Sequence, residues 1–261
     1  IWKTPLIMNL ILFEAPFEQL NLSADDPRTR HILSVLKIKL GGVFYVGFIN
    51  GQRALAKIET IDEDSSVVIS IIERMPSPPC LPVDLLIGMP RPHTAKRVLF
   101  EGACLGVRQT HFLQYEHTAP SSANSRLWSD ENYKERLLLG AEQSFTTHIP
   151  EVFVHTNLNE ALSHIDSSEN QVVHLALDNY EAKQGLGLSF KNRISSNIQK
   201  HEVPHIYLAF GSERGWSDSE RALLIKKKWE FAHLGNRVLR LEMAVVSAIA
   251  ITADRVNFWE G

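Results

Sequence analysis

Two short segments of this chain concentrate residues able to do chemistry. Gly211-Ser-Glu-Arg-Gly215 sets a carboxylate and a guanidinium between glycines. Leu234-Gly-Asn-Arg-Val-Leu-Arg-Leu-Glu-Met-Ala244 places Arg240 and Glu242 two positions apart behind a glycine turn. Glycine lets a backbone approach a ligand closely and take positive φ. A carboxylate can accept a proton, and a nearby cation can stabilise the anion left behind. Glu213, Arg240 and Glu242 are the candidates for those two tasks. Taken singly, each loop also fits an ordinary strand-to-helix turn, and Arg240 with Glu242 also fits a capping ion pair.

Other motif matches fall away on physical grounds. His201-Glu-Val-Pro-His205 has the spacing of a zinc-protease helix, but that chemistry needs both histidines on one continuous helical face and Pro204 lies inside the turn. A nucleophile elbow requires serine where Gly211–Gly215 has Glu213. Gly185-Leu-Gly187 lacks the third glycine and the preceding strand of a dinucleotide fingerprint. Cys80 and Cys104 are the two cysteines, too few for a disulfide framework and not in a metal-ligand spacing, so a reducing compartment fits and no metal is expected.

The elements that must position the two loops follow an alternating pattern. Strands are expected at Val83–Ile87, Gln109–Tyr115, Val172–Leu177, His205–Phe210 and Trp229–His233. Helices are expected at about Ala95–Leu105, Asp130–Glu142, Ser217–Lys227 (capped by Ser217 with Glu220) and Glu242–Val256. That alternation implies an α/β domain with a mainly parallel sheet, whose ligands bind beyond the carboxyl ends of the strands. Upstream, Met75-Pro-Ser-Pro-Pro-Cys-Leu-Pro82 reads as an extended linker. Before it come a short strand at Asn9–Phe13 and a helix capped by Asp26-Pro27 that runs through Ile32 and Leu36 to Gly41-Gly42. Strands at Val43–Ile49 and Arg53–Ile61 are joined by the hairpin signal Asn50-Gly51, and another strand covers Ser66–Ile72. One short helix among several strands suggests a small barrel. Residues before Met8 are set aside from this reading.

At 261 residues with 44% hydrophobic content, the chain can bury a substantial core. No apolar run approaches the ~20 residues of a membrane helix, and no signal peptide pattern is present. The net charge of −3 excludes an indiscriminate nucleic-acid binder but hides a local excess. From Pro27 to Lys57 there are Arg28, Arg30, Lys37, Lys39, Arg53 and Lys57 and no acidic residue. Such localised basic surface suits phosphate backbones, although chance clustering on a solvated face gives the same pattern. Arg91, Lys96 and Arg97 form a second basic cluster near a strand end.

Five segments, in order, resemble the ribosomal RNA small subunit methyltransferase E family. They are Arg30-His-Ile-Leu-Ser-Val-Leu-Lys37 with Leu40-Gly-Gly, Leu105-Gly-Val107, Ala141-Glu-Gln-Ser144 with Ile149-Pro-Glu-Val152, and the two glycine loops. They span about Asn9 to Phe258. The resemblance implies a PUA-like RNA-binding β-barrel over residues 8–76, then a SPOUT-type α/β domain over 82–261 with a C-terminal trefoil knot. It implies S-adenosyl-L-methionine as cofactor, methylation of uridine N3 in small-subunit ribosomal RNA, a homodimer with the cofactor site near the subunit interface, and a cytoplasmic location without membrane. On this resemblance the cofactor would be held by Leu177, Phe210, Gly211, Ser212, Glu213 and Gly215. Leu234, Gly235, Val238, Leu239 and Arg240 would complete its site. Arg240 would stabilise a uridinate, and Glu213 or Glu242 would take the N3 proton. RNA would be met by Arg28, Arg30, Lys37, Lys39, Arg91, Lys96 and Arg97.

The chain departs from the family pattern at several positions. Ser212 and Arg214 stand in a Gly-Pro-Glu-Gly-Gly loop, Met243 replaces a usual threonine, Arg91-Pro92 replaces Lys-Gly, and Phe145-Thr146 occupies the place of an arginine. These departures motivate an alternative: an RNA-binding protein on the same scaffold with weakened or lost methyl transfer. A nucleotide-binding regulatory domain without an RNA partner is a third reading, opposed by the acid-free segment.

Overall fold

The computed structural model describes residues 10–114, 118, 120–165, 172–190 and 204–260. Tyr115, His201–Val203 and the segment before Leu10, all touched by the sequence reading, lie outside them. The chain divides into two compact units. One comprises its residues up to Pro79 together with Leu138–Ile149, and the other comprises Cys80–Leu137 and Pro150 onward.

The first unit is a curled, half-barrel sheet of β1 (Leu10–Phe13), β2 (Gln19–Leu22), β3 (Val43–Phe48), β4 (Arg53–Ile61) and β5 (Val67–Met75), in the order β1-β3-β4-β5-β2. Alternate residues of β4 are buried, as a half-buried strand requires. Two register shifts between β4 and β5, at Leu55/Ala56 and Ile58/Thr60, bend the sheet around Ile32, Phe44, Val46, Phe48, Ile58 and Ile69. The hairpin forms where Asn50-Gly51 signals it, but as a four-residue loop: Asn50 takes φ of +55°, Gly51 does not share the positive φ of a two-residue Asn-Gly turn, and the Gly51 N–H donates to Phe48 O at 2.7 Å. Helix α1 (Pro27–Arg30) starts on Asp26, whose side chain accepts the Arg28 N–H at 2.8 Å. It then widens into a π turn at His31–Val35. The expected run to Gly41 stops early because Lys37 turns left-handed (φ +56°) and the Ile38 N–H reaches back to Ile32 O at 3.1 Å, a Schellman-type closure. Strand β2, which the sequence reading lacked, pairs antiparallel with β5. Residues 138–149 return to this unit: the Glu142 carboxylate accepts the Leu12 N–H on edge strand β1, and Thr147 packs so tightly on Gly47 that a Cβ there would lie 2.7 Å from its methyl.

The second unit contains an all-parallel sheet of six strands. They are β6 (Leu81–Gly88), β7 (Val107–Leu113), β8 (Glu151–His155), β9 (Val172–Leu177), β10 (His205–Phe210) and β11 (Glu230–Ala232), ordered β11-β9-β10-β6-β7-β8. Strand β8 and helix α6 (Leu158–His164), capped by Asn157, were not anticipated. Short helices α3 (Pro120–Ala123) and α4 (Arg126–Ser129) precede α5 (Tyr133–Ser144), and the described residues 186–190 are helical (α7). Leu86, Tyr207 and Ala209 pack on one face against α6 and α8 (Asp218–Lys226). The opposite face carries α2 (Pro92–Leu105), whose Gly102 lies over Leu85, with α9 (Leu241–Arg255) packed on α2. Ser217 and Glu220 form the expected capping box of α8. His205 lies in β10 with its Nε2 3.0 Å from the buried Asp84, which Arg108 grips through both carboxylate oxygens. Burial would raise the Asp84 pKa, but the His205 and Arg108 hydrogen bonds outweigh it and hold the group below its ordinary value.

Candidate functional site

Strand β9 lies between β10 and β11, so the loops leaving these three neighbours share the carboxyl edge of one parallel sheet. Phe210 and Leu177 are register partners at that edge, Phe210 buried and Leu177 half-buried. The Trp216 indole N–H donates to Leu177 O at 2.9 Å and ties the β10 loop to β9. Within the loop, the Gly215 N–H donates to Ser212 O at 2.8 Å, the Ser212 hydroxyl donates to Gly215 O, and Ser212 Oγ accepts the Arg214 N–H. Those three bonds close the turn where the family pattern has proline. A Cβ on Gly211 would lie 2.8 Å from the Gly215 carbonyl carbon, so the turn is this tight only with glycine.

The β11 loop turns at Gly235, φ +107°, with its N–H donated to His233 Nδ1 at 3.1 Å. His233 in turn bonds through its backbone to Gln184 and Leu186. Leu234 and Leu239 are half-buried, whereas Val238 is 91% exposed and contributes no packed wall within this chain. Gly215 (φ +81°) and Gly235 would meet no atom within 4 Å of an added Cβ, so both loops border open space. Two glycine turns with room beside them, set at the apolar ends of neighbouring strands, fit a nucleoside-bearing cofactor of S-adenosylmethionine type. The site residues of the β9, β10 and β11 ends are thus brought to one edge.

The three candidate chemical residues have different surroundings. Arg240 is the N-cap of α9; its carbonyl accepts the Ala244 N–H, its side chain makes no capping bond, and it is exposed. Glu242 does not pair with it. Its carboxylate meets Arg97 of α2 at 3.2 Å. The capping-pair alternative for Arg240 and Glu242 is therefore absent. Glu213 also reaches α2: Oε1 accepts the Thr94 hydroxyl at 3.1 Å and Oε2 lies 3.4 Å from Arg91 Nε. Helix α2 has no side-chain cap of its own, so Glu213 serves its N-terminus from another element. Sequence reasoning missed Thr94; a hydroxyl in the first turn of a helix near a strand end was the available signal.

Among the expected RNA-contacting residues, Arg30, Lys37, Lys39 and Lys96 are exposed. Arg28 is not a free cation. It holds Asp26 at 2.9 and 2.6 Å and stacks over Phe13 at 4.5 Å. Through that hydrogen bond from Arg28 the Asp26 carboxyl stays below its usual range. Asp26 stands one position before the acid-free segment and Glu59 two positions after it, and each takes one of its cations. Arg53 binds Pro76 O and lies over Phe145, and Lys57 pairs with Glu59. Phe145 is a core residue of the first unit, edge-on to Tyr45. Among the described residues no three His, Cys, Asp or Glu side chains assemble as a metal site, and no helix is long and apolar enough to cross a membrane.

Comparison with known proteins gives this geometry a family. The RNA methyltransferase domain profile matches residues 76–253 and the RNA methyltransferase PUA domain profile matches residues 24–71. The ribosomal RNA small subunit methyltransferase E of Treponema pallidum (strain Nichols) is 31% identical, with 97% of this chain and 93% of the relative covered. The ribosomal RNA small subunit methyltransferase E 1 of Borreliella burgdorferi is 26% identical over 95% and 99% of the two chains. Among solved structures, a ribosomal RNA small subunit methyltransferase E from Neisseria gonorrhoeae, bound to S-adenosyl methionine, superposes with a TM-score of 0.74 at 20% identity, covering 95% of this chain and 98% of that one. A half-barrel PUA-like sheet followed by a parallel α/β domain, matched along almost its whole length, belongs to the ribosomal RNA small subunit methyltransferase E family of RNA methyltransferases.

Proposed function

We propose that this protein methylates N3 of a uridine in small-subunit ribosomal RNA, using S-adenosyl-L-methionine, as a cytoplasmic homodimer. The observation that carries the reading is that two glycine loops, each with room beside its glycine, leave one edge of a parallel sheet, with an exposed guanidinium, Arg240, at the start of α9. The relatives' names, and the cofactor in the Neisseria structure, support it. The trefoil knot of the family belongs to the same reading.

When bound, the cofactor supplies an electrophilic methyl group on a sulfonium. The residues that would hold it are Leu177, Phe210 and the Gly211–Gly215 backbone on one side, with Leu234, Gly235, Val238 and Leu239 on the other. In-line displacement makes catalysis chiefly a matter of positioning. Uracil N3 carries a proton at neutral pH and becomes a good nucleophile on losing it. Arg240 stabilises the resulting anion, and Glu213 or Glu242 accepts the proton. Both carboxylates already rest on α2 guanidinium groups, which fixes their positions at the edge. RNA phosphates are met by Arg30, Lys37 and Lys39 on the first unit, by Arg91 at the N-cap of α2 and by Lys96 and Arg97 on that helix. Exposed Met243 and Trp259 leave apolar surface at the C-terminal end of the chain for a second copy to cover.

The test is incubation of undermethylated small ribosomal subunits with methyl-labelled cofactor, followed by nucleoside mass spectrometry. N3-methyluridine is expected. Binding of the cofactor by calorimetry without any transfer would favour the RNA-binding alternative, and a methyl group on another atom would refute the N3 assignment.

A further inference from the structure

The loop after β9 carries an aromatic ring that neither the sequence motifs nor the proposed reaction uses. Tyr180 is 86% exposed, although it lies at the edge where β9 is flanked by the strands of both glycine loops. Its mounting is rigid. Asp178 Oδ1 accepts the backbone N–H of Tyr180 at 2.6 Å and that of Glu181 at 3.3 Å. The other oxygen of Asp178 takes Arg221 Nε at 2.7 Å, and Arg221 Nη1 reaches Asp218 at 3.2 Å. Arg221 thus sits with its guanidinium over one face of the Tyr180 ring, 5.6 Å from the centroid. Asp178 itself is buried, and its own N–H donates to Ala232 O on β11. The backbone beneath the ring is anchored, Arg221 lies against one face, and the side chain is otherwise open to solvent.

We infer that Tyr180 is a stacking platform for an unpaired nucleobase of the RNA substrate. The inference rests on the proposed methyl transfer to RNA for its substrate, but not for its geometry. Aromatic side chains bind single-stranded bases through their π faces, tolerate any base, and need an open ring held in place. Arg221 supplies the hold; with two carboxylates on its guanidinium it is spent on the ring and not offered to a phosphate. N3 of a uridine engaged in base pairing is covered, so a methyl acceptor of this kind is necessarily presented unpaired. A ring beside the site gives such a segment somewhere to lie.

Two probes of equal phosphate count separate stacking from charge: an oligouridylate and its abasic ribose-phosphate counterpart. The wild-type protein binds the oligouridylate more tightly. Tyr180→Ala weakens oligouridylate binding about tenfold, within the range of base–aromatic stacking, and leaves the abasic affinity unchanged. Tyr180→Phe restores the difference. The exposed ring buries little, so thermal unfolding of Tyr180→Ala matches wild type. Equal weakening of both probes, or no change in either, overturns the inference. So does a loss of cofactor affinity with base discrimination intact, which would give the ring to the adenine, or a changed sedimentation mass, which would give it to a second copy. These readouts need no methyl transfer, so they stand apart from failure of the proposed reaction.

Discussion

Replacing Arg240 by alanine separates chemistry from architecture more cleanly than any other single change. Arg240 contributes to α9 through its backbone carbonyl, which accepts the Ala244 N–H in any residue type. Its side chain caps nothing, and Glu242, the nearest obvious partner in sequence, is taken by Arg97. A cation at a helix N-terminus also faces the positive end of the helix dipole, so its removal relieves a small repulsion. The stability of Arg240→Ala is therefore expected within about 0.5 kcal/mol of wild type, neutral or slightly higher. Loss of one preorganised charge from a site where an anion develops costs on the order of 100-fold in rate, about 2.7 kcal/mol. Single-turnover methylation with saturating cofactor reads that loss, and calorimetry reads a much smaller fall in cofactor affinity. The pH–rate profile adds a sign. Without the cation the N3 proton is held more tightly, so the rising limb shifts to higher pH; Arg240→Lys moves it part of the way back. An Arg240→Ala enzyme that keeps its full rate would refute the catalytic assignment, whatever its stability.

The basic surface, the β10 turn and the buried histidines can each be tested separately. The triple variant Arg30→Ala, Lys37→Ala, Lys39→Ala lowers the log–log salt slope of RNA binding by about 0.7 to 0.9 for each phosphate that is no longer neutralised. Arg28→Ala, which releases Asp26 and uncovers Phe13, lowers thermal stability instead and leaves the slope unchanged. Gly211→Ala forces its methyl to 2.8 Å from the Gly215 carbonyl carbon, so cofactor affinity by calorimetry falls more than tenfold, a loss of about 1.4 kcal/mol; unchanged affinity would show that this turn does not shape the site. His111 is fully buried, with Nδ1 3.0 Å from His155 Nε2, and desolvation together with His155 pushes its pKa down to about 3. The unfolded chain binds that proton near the ordinary value of 6.5, so His111 contributes stability on the order of a few kcal/mol that is lost as pH falls from about 6.5 towards 3. In denaturant titrations His111→Phe, stacked on Phe153, loses less stability over that interval than wild type; parallel curves would contradict the assignment.

Local sequence determined the features whose causes are local. The Asp26-Pro27 helix start, the Asn50 hairpin and the Ser217–Glu220 box each depend on residues within a few positions, so dihedral preference and one or two hydrogen bonds fix them. Short apolar runs identified β10, β11 and α9 and hence the two glycine loops at the strand ends. Strands β2 and β8 escaped because four or five residues are too few for a pattern to stand out, even the Gln-Leu-Asn-Leu alternation of β2; pairing with β5 and β7 makes them strands. Nothing local announces that residues 138–149 fold with the first unit, where Glu142 satisfies an edge-strand N–H more than a hundred positions away. The partners of the charged residues were decided the same way. Sequence spacing offered Arg240 to Glu242, but an ion pair is set by distance in space, and the packing of α9 on α2 gives Glu242 to Arg97 and leaves Arg240 exposed at the helix start. The chain's own order could name the residues able to do chemistry; only the fold, by spending some of those charges on each other, decided which remain free to do it.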